Sequence, residues 1–523
     1  SALRGFSVVA SGNAQALVSC STGSVVLDTL LLNGNGGVTD GLDVIGTCAA
    51  STNGIGIENL AGVALNVSSS ATSTVNGGSL LLSAIGLQLM TGSVNATGLT
   101  VESNSVDGIL LPNSGPGAAT LSLASQTIVN ANNVGVDVEK GSLSALDSSL
   151  SGNLGGAGLL LNSTGSHQLT TVAVSGNGAA GVQMTAGTLT ASALIANQNG
   201  SHGVSISAGT ATLTDARLNQ NSGRGLSMSG GTVTVSGGTI DTNTGAGLWA
   251  SAGTLTVQDA TELASNGTNG LQLTGATATI AGAALHDNLA NGLLVNNNTT
   301  GATVNFGSPS TVTTIASNGN DGILVDASAG TASNATSLTV DTVAISGNTV
   351  YGVYLQGDAG SIVATLKNST VTASGDVGIL VEQGGVNQTS STIQFNDVNG
   401  NNTNPATTHL VGGILFNTSS TLSSFIGNKV HSNGGDEMGF NAAPNAGLRW
   451  VINPPSAACD NTANSLYCYG TGHVGLNDMQ TLVTVDAQHV HWTNNPPTQA
   501  TDYSGAPSTV TATNACTAVA TCP

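Results

Sequence analysis

The sequence predicts an all-β fold: a right-handed parallel β-helix over residues 1–440, closed by a C-terminal capping segment over residues 441–523. Three observations predict it. A unit of about 22 residues repeats along the chain, each unit alternates apolar and polar residues, and the composition is too poor in charge and aromatic rings for a thick globular core.

The repeat is visible by eye. Gly-Thr-Val-Thr-Val at Gly231 returns as Gly-Thr-Leu-Thr-Val at Gly253. The pattern Asn-x-x-x-Gly, with an apolar-x-apolar triplet after the Gly, begins at Asn104, Asn177, Asn199, Asn221, Asn243, Asn266, Asn288, Asn318 and Asn348. From Asn177 to Asn288 the steps are 22, 22, 22, 23 and 22 residues; the next two are 30 and 30, which reads as loop insertions in single coils. Each unit holds three short period-2 stretches, for example Leu226–Met228, Val233–Val235 and the segment reaching Ile240. Three strands and three bends make one solenoid turn, and roughly 18 turns stacked at about 4.8 Å form a rigid rod.

The apolar member of each alternating pair must face a narrow, dry interior, while Ser, Thr and Gln face out. The Asn suits a buried bend, where its side-chain amide bonds the Asn of the coils above and below. Asn177, Asn199, Asn221, Asn243, Asn266, Asn288, Asn318 and Asn348 are therefore expected at coil corners. The Gly four residues later is expected to supply a backbone conformation that other residues adopt poorly.

Composition agrees with a thin core. Of 523 residues, 7% are charged, 3% are aromatic and 72 are Gly, so Val, Leu, Ile and Ala must fill the interior. Seven Lys+Arg against 27 Asp+Glu leave a net charge of −20. That balance excludes nucleic-acid binding, which depends on cationic contacts to phosphate. No apolar run approaches the roughly 18 residues that span a bilayer, so no membrane insertion is expected. The chain opens directly on strand-like SALRGFSVVASG, so any targeting segment is expected to be missing or removed.

Six cysteines fall in local pairs, and three disulfides are expected: Cys20–Cys48, Cys459–Cys468 and Cys516–Cys522. They imply an oxidising, extracellular or cell-surface location. Zinc would need short Cys-x2–4-Cys hooks with further ligands, and none exists. Residues 441–523 hold seven of 11 prolines, two of three tryptophans and four of six cysteines. Such a segment suits a cap that covers the last coil and blocks edge pairing.

With the repeat in hand, the units resemble the right-handed parallel β-helix repeats of the pectate-lyase-like superfamily, over roughly residues 1–440. The C-terminal segment is similar to the closing segments of secreted bacterial β-helix proteins. The resemblance implies the fold and raises the question of catalysis. Lyases of this superfamily use an Arg or Lys base beside an acidic calcium site, and its hydrolases use paired carboxylates. Here Arg217 and Arg224 are the basic residues of the regular region, and Asp215 beside Arg217 reads as a surface pair. The hydrolase motifs Asn-Thr-Asp, Asp-Asp, Gly-His-Gly and Arg-Ile-Lys are absent; Ser201-His202-Gly203 comes nearest and lacks partners.

Other candidates are weighed by residue type. Asp436-Glu437 could hold calcium, but a solvated loop is the favoured reading, and no cofactor is expected. His489 and His491 share a strand face with no third ligand, which favours an exposed or cap-packed pair over a metal site. Thr188/Thr190, Thr210/Thr212, Thr232/Thr234, Thr254/Thr256 and Thr277/Thr279 should form an outward ladder, a hydroxyl lattice resembling that of β-solenoid antifreeze proteins. Thr is also an ordinary outward strand residue. Trp249 and Tyr354 sit at outward positions where a ring could stack on a sugar.

From residues alone, the expected function is a non-enzymatic extracellular or cell-surface structural protein: an adhesin, stalk or fibre subunit. Its expected partners are copies of itself, cell-surface components or glycans. The alternative is a carbohydrate-binding or carbohydrate-cleaving β-helix protein, and the further alternative is ice binding through the Thr ladder. An enzyme would need a carboxylate cluster that folding alone assembles.

Overall fold

The computed structural model describes residues 2–10, 15–115, 117–296, 301–328, 335–357, 360–383, 389–404, 409–417, 421–441, 450–452, 459, 463–469, 472–479, 484–494, 496–504, 510–512 and 515–516. Among them there are strands and turns and no helix. The chain divides into two compact units, residues 1–245 and 246–523.

In the first unit, parallel strands stack coil upon coil in the register set by the repeat. Val182–Met184 pairs with Val204–Ile206, which pairs with Leu226–Met228. Thr188–Ser192 pairs with Thr210–Thr214, which pairs with Thr232–Ser236. The third side narrows to single bridged residues, Ala173 to Ile195 to Arg217. Alternation decides what is inside: Val182, Met184, Leu189 and Ala191 are fully buried, whereas Gln183, Thr188 and Thr190 are exposed. A one-residue slip would invert this pattern on every strand, so the register is fixed by burial. Earlier coils carry longer strands that round the bends unbroken, such as Val63–Leu81. Cys20 is bonded to Cys48.

In the second unit the third side is a regular ladder, from Glu262–Ala264 through Ala284–His286, Thr313–Ala316 and Val343–Ser346 to Thr370–Thr372. Another side stacks Ile323–Asp326, Val353–Gly357, Ile379–Gln383, Val411–Phe416 and Asp436–Phe440. Parallel pairing continues past residue 440, through Leu476–Asp478 to Tyr503–Ser504. Here the interior turns aromatic: Phe416 and Phe440 stack at 5.4 Å, and Trp450 lies 5.0 and 4.9 Å from them.

The expected disulfides at this end require correction. Cys459 is bonded to Cys516, 57 residues away, rather than to Cys468, because parallel stacking brings distant coils together and leaves sequence neighbours apart. Cys516 is therefore not joined to Cys522. Cys468 is itself disulfide-bonded, and Cys522 lies outside the described residues. These bonds fit an oxidising compartment, extracellular or periplasmic.

Candidate active site

The Asn and Thr rows occupy defined places. In the first unit, Asn177 donates its amide to Asn199 at 3.1 Å, Asn199 to Asn221 at 3.0 Å, and Asn221 to Asn243 at 2.9 Å. In the second, Asn266, Asn288, Asn318 and Asn348 form the same chain at 3.0, 3.0 and 2.9 Å. All eight are at most 2% exposed. Thr188, Thr210 and Thr232 lie in one outward row and Thr190, Thr212 and Thr234 in the next. Thr254 aligns with Thr277 and Thr256 with Thr279 in the second unit. Trp249 is half-buried beside Gln272 of the following coil.

The coil Gly has a different role from the one expected. Gly203 and Gly247 are not in the left-handed region; a Cβ on Gly203 would lie 2.7 Å from the Gly225 carbonyl and 2.9 Å from the Asn221 amide. Close approach excludes a side chain there. The left-handed residue is the one before the Asn: Gln198, Gln220, Thr242, Ser265, Asp287 and Ser317 have φ of 52–57°.

Two further expectations change. Asp436 and Glu437 are not a solvated loop: both are buried at the start of the strand Asp436–Phe440, and Glu437 is fully enclosed. Asp436 accepts from the Val474 amide at 2.9 Å and from Asn477 at 2.6 Å. Burial pushes the Glu437 carboxyl up to about 8, partly offset by Asn433 donating to it. His489 and His491 do not share a strand face, since His489 adopts a left-handed φ of 57° in the turn before the strand His491–Trp492.

Folding assembles what the sequence disperses. On the outer side of the strands Val353–Gly357 and Ile379–Gln383, an apolar patch of Val377, Leu380, Val411 and Leu415 is covered by Tyr351, Tyr354 and Met479. Leu380 and Leu415 occupy the outward register position of Tyr354, yet each is only 2% exposed. The Tyr351 and Tyr354 rings meet edge-on at 5.0 Å, and His409 sits 6.1 Å from Tyr351 on its other contact.

Carboxylates organise these rings. Asp376 holds His409 Nδ1 at 2.9 Å, and the bond, reinforced by the Asp376 and Glu382 charges, raises the proton affinity of the imidazole against the cost of its burial. His409 Nε2 has no hydrogen-bond partner among the described residues. The second Asp376 oxygen, Oδ1, is buried without a hydrogen bond. The Tyr354 hydroxyl donates to Glu382 Oε2, while Asn417 donates to Glu382 Oε1 at 2.9 Å and is itself held by Asn441 at 2.6 Å. Asp321, 2% exposed, accepts the Tyr351 backbone N–H at 3.1 Å, and burial pushes its carboxyl up to about 7. Burial and the surrounding carboxylates push the Tyr351 phenol up to about 12; burial and Glu382 raise Tyr354 further still.

The set can move a proton in either direction. An Asp-held imidazole presents one free nitrogen as donor or acceptor, and a carboxylate can accept a proton from a bound hydroxyl, while the phenol beside it stays protonated. Of these residues, Tyr354 alone was singled out from sequence. Glu382 lay hidden because its partner is 28 residues away, and Asp376 and His409 are separated by 33. A signal existed: aligned on the coil Gly, Glu382 falls opposite Gln356, two residues after the Tyr354 position. No group of three His, Cys, Asp or Glu side chains among the described residues is arranged to hold a metal ion.

The chain is a right-handed parallel β-helix repeat protein. Residues 157–336 match the family described as right handed beta helix region, a match that ends before most of the site. Among solved structures, the chain is similar to the A-module of mannuronan C-5 epimerase AlgE6 from Azotobacter vinelandii, at 17% identity over 72% of this chain and 90% of that one, with a TM-score of 0.36. It is also similar to a double mutant of the periplasmic alginate epimerase AlgG, at 10% identity over 71% and 77%, with a TM-score of 0.20. No curated protein matches the chain. Both solved structures are titled as epimerases, a likeness that concerns the fold alone; the expectation of a non-enzymatic adhesin, stalk or fibre is withdrawn on the side chains that folding brings together here. It rested on the charge-poor, repetitive surface and on the absence of the superfamily's catalytic motifs, whereas folding brings Asp376 to His409 and Glu382 to Tyr354.

Proposed function

We propose that this protein is a carbohydrate-active enzyme that works by proton transfer on a glycan laid across the sheet face formed by Ile323–Asp326, Val353–Gly357, Ile379–Gln383 and Val411–Phe416. The observation that carries the reading is the Asp376–His409 dyad beside the Tyr354–Glu382 pair on one outer face. A sugar ring offers a C–H face to Tyr351 and Tyr354 and hydroxyls to Glu382, Asn417 and Gln356. His409, whose proton affinity the bond to Asp376 raises, supplies a proton, and the Glu382 carboxylate accepts one. The dry patch beneath strengthens both interactions. Extracellular secretion or display at the cell surface would bring the enzyme to such a polymer.

The test is turnover of a panel of soluble polysaccharides by the intact protein. Reducing ends report hydrolysis, ultraviolet absorbance reports unsaturated products, and proton NMR reports inversion at a sugar carbon. His409→Ala and Glu382→Gln should each lower the rate by about a hundredfold or more. Their thermal stability should stay close to that of the parent. Unchanged turnover in both variants would refute the assignment.

A further inference from the structure

We infer that the glycan taken by this site is uncharged and that polyuronates are rejected. The inference rests on the carbohydrate-active reading above and adds the charge of the substrate. Parallel register places Asp326, Gln356 and Glu382 in one outward row on consecutive coils. Asp321 and Asp376 flank the same face, so four carboxyl groups converge there. The five strands from Ile323–Asp326 to Asp436–Phe440 carry no Lys or Arg at any position. Among the described residues, the imidazoles that meet carboxylates of this face are His409, held by Asp376 at 2.9 Å, and His473, held by Asp436 at 3.4 Å, so each is already engaged. Lys367 is committed to Asp341 at 3.2 Å, on a strand outside this face.

A polyuronate brings one carboxylate per sugar. Seating that chain beside Asp326 and Glu382 would desolvate like charges with no Lys or Arg on the five strands to pair them, and like-charge juxtaposition is what specificity against a wrong partner is made of. Elimination or inversion next to a sugar carboxylate also needs a positive group to stabilise the charge that develops on it. A neutral sugar has neither requirement. Its hydroxyls donate to Asp326 and Glu382, its ring face covers the tyrosines, and acid–base cleavage between neutral sugars uses carboxyl groups of this kind. The chain's net charge of −20 extends the same repulsion beyond the site.

The experiment compares the intact protein on soluble β-glucan, xylan and galactomannan with polygalacturonate and alginate, at low and at high salt. Binding is measured by affinity electrophoresis and turnover by the assays above. The expected result is binding and processing of a neutral polymer, with polyuronates at least about tenfold weaker at low salt and a gap that narrows as salt screens the site. Gln356→Lys, which places a cation in the acidic row, should narrow the gap without salt. Polyuronate turnover equal to or above that of neutral polymers, and sensitive to Glu382→Gln, would overturn the charge assignment and leave the carbohydrate-active reading intact. Failure to bind or process any of the polymers would overturn both.

Discussion

Replacing Asn199 by Ala is the sharpest test of what holds the coils together. Asn199 is fully buried, and its Oδ1 accepts both the backbone N–H and the side-chain amide of Asn177, each at 3.1 Å. Its own amide donates to Asn221 at 3.0 Å. The substitution leaves two Asn177 donors without an acceptor, while Asn221 Oδ1 keeps the Asn199 backbone N–H at 3.0 Å. Each orphaned buried donor costs about 1–3 kcal/mol, so for two the expected destabilisation is about 2–6 kcal/mol. The exposed Thr190, one strand away, serves as control, and Thr190→Ala should stay within about 0.5 kcal/mol. Urea titration followed by far-ultraviolet circular dichroism gives the magnitude. Hydrogen exchange should show the loss of protection centred on the coils of Asn177 to Asn221. A change below about 1 kcal/mol, or protection lost uniformly, would refute the claim that the Asn row is what satisfies the buried corner.

Three other outcomes follow from buried charge and covalent links. His167 is fully buried facing Leu189 of the next coil, neither ring nitrogen makes a hydrogen bond of ordinary geometry, and burial lowers its proton affinity. The unfolded chain therefore takes up a proton that the folded one refuses, and stability falls as pH drops below about 6.5; His167→Leu should gain about 1–2 kcal/mol at pH 5 and less at pH 8, read by denaturant titration. Glu437, raised to about 8, has the opposite sign: the folded state holds the extra proton, so stability is lost as pH climbs from its ordinary 4.5 through 8. Glu437→Gln should flatten that decline, exceeding the parent by about 2–5 kcal/mol at pH 9, in thermal melts across pH. Cys516→Ser opens the 57-residue link to Cys459 and should cost about 2–4 kcal/mol, with proteolysis first appearing near the C-terminal coils.

The stacking was legible because it is written locally. Asn199 and Asn221 sit 22 residues apart, and repetition at that period means adjacency on successive coils whatever the side chains do. The Thr rows followed from period-2 alternation for the same reason. The corner geometry was only half legible: the Asn was evident, but the strained position before it is filled by Gln198, Thr242, Ser265 or Asp287, residues with no common chemistry to mark it. The catalytic candidates were hardest. Asp376, Glu382 and His409 belong to coils of unequal length, where the period no longer says which residue faces which. Cys20–Cys48 was legible, but the C-terminal Cys pairs misled for a related reason, since Cys459 meets Cys516 through stacking and not through a hairpin.

The Asn row has a consequence for how such a chain can change over generations. Consecutive residues of this row are 22 apart between Asn266 and Asn288 and 30 between Asn288 and Asn318, and in a second row, at another corner, 32 between Asn396 and Asn428 and 36 between Asn428 and Asn464, while the amide contact stays at 3.0–3.1 Å. The spine is indifferent to the length of chain between its vertebrae. A coil can acquire an insertion without disturbing its neighbours, so outward arms can be tried one at a time on a frame already stable. Innovation at this surface is thus decoupled from the inheritance of the fold: His409, within the 32-residue step from Asn401 to Asn433, meets Asp376 of an earlier coil while the Asn contact on either side is kept.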